Sequence, residues 1–143
     1  MKKIINIISS TQGGGAELIV REMHKRFIDK GIHAYAIYMG GNLIDPVDNE
    51  LVMGVNPRSL LNIFRIRKLL KKFISDSSDE LIVHAHLTWP FFYTTFASIG
   101  LKNIQLIFTE HSTNNKRRII PLFWILERLI YSRFERIICI SEG

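Results

Sequence analysis

The chain has 143 residues, 47% of them hydrophobic, which is enough to bury one core and excludes a disordered segment. Lys and Arg number 19 against 13 Asp and Glu; the formal charge of +6 favours anionic partners without choosing among nucleotides, phospholipid surfaces and nucleic acid. A lone cysteine, Cys139, forms no internal disulfide and suggests a reducing compartment, while no apolar run reaches the roughly 18 to 20 residues that span a bilayer.

The start, Met1-Lys2-Lys3, has the charge of a signal peptide, but the apolar run Ile4 to Ile8 is too short for its hydrophobic region and leads into glycines. The expected location is therefore cytoplasmic, free or peripheral at the inner face of a membrane. Short β-branched runs then alternate with longer helical patterns, as in βαβ units. Strands are expected at Lys3–Ser9, His33–Met39, Glu50–Val55, Glu80–Ala85, Ile104–Thr109 and Arg136–Ser141. Helices are expected at Ala16–Lys30, Pro57–Ser75, Pro90–Leu101 and Ile119–Phe134. "LIVHAH", "QLIFTEH" and "RIICIS" read as strands covered on both faces. With right-handed crossovers the result is a doubly wound parallel sheet of about six strands, helices on both faces.

The first strand-to-helix turn, "SSTQGGGAEL", places Gly13, Gly14 and Gly15 at a helix N-terminus on the carboxyl edge of such a sheet, where ligands bind. Free N–H groups and a partial positive charge there suit a phosphate. A turn that only packs helix on strand is the alternative, and the triplet alone leaves it open. No Gly-Lys-Ser/Thr follows, so this is not a Walker loop. Leu18 stands where a dinucleotide fingerprint needs Gly or Ala, and the second strand runs through "YAIYMGGN" without a ribose-binding acid, so a nicotinamide cofactor is disfavoured.

Further along, "VHAHLTW" places His84 and His86 on one face of a strand, and "FTEHST" ends the next with Glu110 and His111. Adjacent strands would bring three histidines and a carboxylate to the rim that carries the glycines. The spacing matches no strong metal motif, and no metal is expected. His84 reads as a core or supporting histidine, His86 and His111 as lying further out and better placed for ligand, and His24 and His33 as surface positions. A neutral histidine there donates a hydrogen bond or acts as a base.

The "GGGAE" after the first strand, the "VHAH", the "TEH" and the closing "IICISEG" together resemble the N-terminal domain of the family 4 glycosyltransferases over essentially the whole chain. The resemblance implies one Rossmann-like half of a GT-B fold. It also implies retaining transfer of a sugar from a nucleotide-diphosphate donor, as co-substrate, to a saccharide or polyprenyl-linked acceptor. Carried over, it puts Gly13, Gly14, Gly15 and Ser141 beside the donor diphosphate and sugar, Glu17 on the acceptor side and His111 at the reacting centre. His86 is a looser match on the acceptor side, with Glu110. Arg117 and Arg118, with Lys116, form a basic loop able to meet phosphate. The family's donor-binding glutamates and basic pair belong to a C-terminal domain that this sequence lacks, so residues 1–143 alone are expected to be inactive.

Two helices bear on partners. In "SLLNIFRIRKLLKKFI", Ile63, Ile66, Leu69, Leu70, Phe73 and Ile74 cluster on one side and Arg65, Lys68, Lys71 and Lys72 on the other, as in a helix on an anionic membrane or an ordinary surface helix. In "PLFWILERLIYSRF", Trp124, Leu126 and Tyr131 suit a core, with contact to a lipid carrier as the alternative. A stand-alone nucleotide- or phosphate-binding regulatory module remains the alternative function. Nucleic acid is not an expected partner, since no aromatics alternate with the charges.

Overall fold

The computed structural model describes residues 1–74, 80–111 and 121–140. Six strands run in chain order as β1 (Lys2–Ser10), β2 (Ala34–Gly40), β3 (Glu50–Val52), β4 (Glu80–His86), β5 (Ile104–Glu110) and β6 (Arg136–Cys139). All pair in parallel in the order β3-β2-β1-β4-β5-β6. Four helices connect them: α1 (Gly15–Asp29), α2 (Asn62–Phe73), α3 (Thr88–Ala97) and α4 (Pro121–Tyr131). The expected doubly wound sheet is therefore the one observed, with its direction of winding reversing between β1 and β4.

The strand order dictates which face each helix covers, because right-handed crossovers leading outward in opposite directions lie on opposite faces. The α1 crossover from β1 to β2 buries Val20 against Ile8, Ala36 and Tyr38. The other three pack Ile66 and Leu70 of α2, Phe91 of α3 and Ile130 of α4 on the opposite face, over Ile5, Ile7, Val83, Leu106 and Phe108. Phe91 lies 4.4 Å from Phe108 and 5.1 Å from Phe134 between ring centroids, an aromatic cluster joining α3, β5 and the end of α4.

Several expectations need correction. His24 is not a surface residue: one turn after Val20 it faces inward, fully buried, and its Nε2 contacts the Asp48 carbonyl at 2.8 Å. Beside it Arg21 donates to the carbonyls of Ile44 and Asp45 and approaches Glu50, whose buried carboxylate also accepts from Tyr38 and the Val47 amide. These contacts pin the loop before β3 to α1. Helix α2 starts at Asn62 instead of Pro57, because Asn56 takes the Arg58 amide on its side chain and the Asn62 side chain on its carbonyl, holding turns over the intervening residues. "RIICIS" is not covered on both faces: β6 is an edge strand, and Ile137, Ile138 and Ile140 are all more than 40% exposed. Among the described residues no helix is long and apolar enough to cross a membrane.

Candidate functional site

The glycine bend follows β1 at the carboxyl edge of the sheet, next to the point where the winding reverses. Its three glycines are not equivalent. Gly13 sits at φ +152°, a region that side chains rarely enter, so the backbone itself requires glycine there. Gly14 caps α1 in an extended conformation open to any residue, and Gly15 is the first helical residue with nothing within 4 Å of where a Cβ would be. The chain's own packing therefore makes no use of a bare Gly15. Glu17, at the third helical position, turns back over the bend, its Oε1 3.0 Å from where a Gly13 Cβ would lie. A carboxylate is favoured by the positive end of the helix.

A second glycine pair supports the bend. The Thr11 amide donates to the Gly40 carbonyl at 3.1 Å, and the Thr11 hydroxyl donates to the Asn42 carbonyl at 2.8 Å. Gly41, at φ +96°, passes so close that a Cβ there would collide with Thr11 Oγ1. The glycines ending "YAIYMGGN" thus bring the loop after β2 against the loop after β1, where a dinucleotide-binding chain would hold an acid.

The histidines of β4 and β5 meet beside the bend. The rings of His84 and His86 are 4.0 Å apart, and those of His86 and His111 are 5.5 Å apart. His84 Nε2 lies 2.7 Å from the Thr109 hydroxyl, His86 Nδ1 lies 3.3 Å from His111 Nε2, and His86 Nε2 lies 3.5 Å from Asn6 Oδ1. The expectation that His86 lies further out than His84 is wrong. His86 is 1% exposed against 8% for His84. Burial pushes His84 down to about 4 and His86 to about 2, each aided by repulsion from the neighbouring rings. Burial also lowers His111, against an opposing pull from Glu17 and then Glu110. All three rings are neutral near pH 7, and the parallel pairing of β1, β4 and β5 puts the bend and His111 at the same edge of the sheet.

Glu110 alternates to the other face of β5, where its Oε2 accepts from the Tyr131 hydroxyl at 2.8 Å; it does not join the histidines. Ser141, Lys116, Arg117 and Arg118 lie outside the described residues, as does the Trp124 side chain. Among the described residues no three His, Cys, Asp or Glu are arranged to hold a metal ion. Three contributors were not read from the sequence. Asn6 is buried in mid-strand, and the only trace of it is one polar residue within "IINII". Thr109 looks like an ordinary strand threonine. Leu87, straight after His86, adopts φ 70° and ψ 172°, a strained conformation for leucine that no sequence pattern announces.

The family model described as Glycosyltransferase Family 4 matches residues 13–143, from the bend to the last residue. The chain belongs to glycosyltransferase family 4. No curated protein matches it. The matched region of this family 4 domain contains Gly13, Glu17, His86 and His111, whereas Asn6 and Thr11 precede it.

Proposed function

We propose that this domain forms the acceptor-side wall of a cleft in which a sugar passes, with retention of configuration, from a nucleotide diphosphate to a saccharide or polyprenyl-linked hydroxyl. The observation that supports this most directly is the shared rim: the glycine bend with the first turn of α1, after β1, and the neutral His111, after β5, stand at the same edge of the parallel sheet, and the Glu17 charge acts on His111. The amides and the helix dipole complement the departing diphosphate. Glu17 repels phosphate and accepts hydrogen bonds from hydroxyls, which fits it to the acceptor saccharide. His111, uncharged near pH 7, hydrogen-bonds the reacting sugar without setting a cation against the positive charge that develops on the sugar as the diphosphate leaves.

In this reading the remaining charge stabilisation for the diphosphate comes from a second, donor-binding domain, and residues 1–143 alone do not catalyse transfer. Calorimetric titration with nucleotides and nucleotide-diphosphate sugars tests it. Weak binding by the chain alone that tightens when it is joined to a family 4 C-terminal domain supports the reading. Micromolar nucleotide binding by the isolated chain favours the regulatory module instead.

A peripheral membrane contact belongs to the same proposal. Helix α2 follows β3, so its first turn starts on the carboxyl-edge side of the sheet. There Leu60, Leu61 and Phe64 are 59–70% exposed, followed by Arg65, Lys68, Lys71 and Lys72. An apolar tip with a basic flank suits an anionic bilayer that carries a lipid-linked acceptor. Sedimentation with liposomes should show binding that requires anionic lipid and weakens in Phe64→Asp; equal partitioning without anionic lipid disposes of this contact.

A further inference from the structure

His111 is the residue on which the proposed chemistry leans, and its proton placement is decided two residues away. Asn6 turns its carbonyl oxygen to His86 Nε2, and an oxygen can only accept, so Nε2 of His86 carries that ring's proton. A neutral imidazole has one N–H, which leaves His86 Nδ1 with a lone pair. The contact at 3.3 Å therefore runs from His111 Nε2–H to His86 Nδ1. His111 in turn keeps a lone pair on Nδ1, a buried atom with no hydrogen-bond partner among the described residues.

We propose that Asn6 and His86 are positioning residues that hold His111 in its Nε2–H form, so that its buried Nδ1 is an acceptor, suited to a ligand hydroxyl that reaches it and not to a phosphate oxygen. Burial suits the pair to this task. Both are at most 1% exposed, so water does not compete for the contacts, and neighbouring β1 and β4 align Asn6 with His84, placing Asn6 and His86 on one face of the sheet. A lone pair attracts an O–H and repels an anionic oxygen that has only lone pairs to offer. A surface histidine exchanges freely between its two neutral forms; one that ends a buried chain of acceptors does not. The hydroxyl assignment rests on the sugar-transfer reading, whereas the proton order does not.

Long-range proton–nitrogen spectra of the chain labelled with 15N in histidine, at about pH 8 where the rings are neutral, read the arrangement directly. The expected result is a protonated Nε2 and bare Nδ1 on both His86 and His111, with a nitrogen–nitrogen coupling across the bond between them. In Asn6→Leu the coupling should be lost and His111 should show both neutral forms. A proton on Nδ1 of both rings, the order a reversed Asn6 amide imposes, overturns the proposal, as does an unchanged His111 in an Asn6→Leu variant with an otherwise native spectrum. The wild-type spectrum decides by itself where that variant does not fold. Addition of a millimolar alkyl hexoside should shift the His111 Nδ1 signal and inorganic phosphate should not. No shift with the glycoside, or a larger one with phosphate, overturns the hydroxyl assignment and leaves the proton order standing.

Discussion

Mild acid should destabilise this domain through the buried histidine pair. In the unfolded chain His84 and His86 titrate near the ordinary value of about 6.5. In the folded chain burial holds them at about 4 and about 2. Above pH 6.5 both states are neutral at these rings and the pair adds no pH dependence. As pH falls below that, the unfolded chain binds two protons that the folded chain refuses, so stability declines until each folded value is passed. At pH 5 proton linkage gives about 2 kcal/mol for each ring, or about 4 kcal/mol for the pair. That is a large share of the roughly 5–15 kcal/mol that holds a domain together. His111, also lowered by burial, acts in the same direction. Urea unfolding at pH 8 and pH 5 measures the gap, and His86→Leu, which removes one of the two protons, should narrow it by about 2 kcal/mol. A wild-type gap below about 1 kcal/mol, or the same gap in His86→Leu, would show that these rings are protonated in the folded state and would refute the argument.

Four further outcomes follow from the geometry. Gly13→Ala should cost about 1–3 kcal/mol because its backbone lies where side chains are strained. Gly15→Ala, in open space at the helix start, should leave stability unchanged or slightly raised while weakening donor binding in a two-domain enzyme; thermal melts paired with calorimetry separate the two effects. Gly41→Ala should cost about 1–3 kcal/mol by driving the loop after β2 off Thr11, and an unchanged melting temperature would mean that the two loops do not touch in solution. Phe91→Ala should cost about 3–5 kcal/mol in urea unfolding, since it empties the centre of the aromatic cluster between α3, β5 and α4.

Much of the architecture was written in local pattern. Alternating apolar runs and helical stretches located all six strands and all four helices to within a few residues, and crossover handedness then left one class of sheet. Errors arose where side chains compete with the backbone or where solvent exposure depends on strand order. The Asn56 turn delayed α2, and β6 proved to be an edge that periodicity cannot recognise.

Residue type and spacing singled out "GGGAE", "VHAH" and "TEH", and the parallel sheet brings all three to its carboxyl edge. Only the tertiary structure separated the glycine that the backbone demands from those it does not, turned Glu110 away to Tyr131, and buried His86 more deeply than His84. It also recruited Asn6, 80 residues from His86 along the chain, into the same hydrogen-bonded line. The physical reason is one of range. Conformational preference and hydrophobic period act between neighbours in sequence, whereas proton order and pKa depend on which groups the sheet brings within hydrogen-bonding distance after water has been excluded.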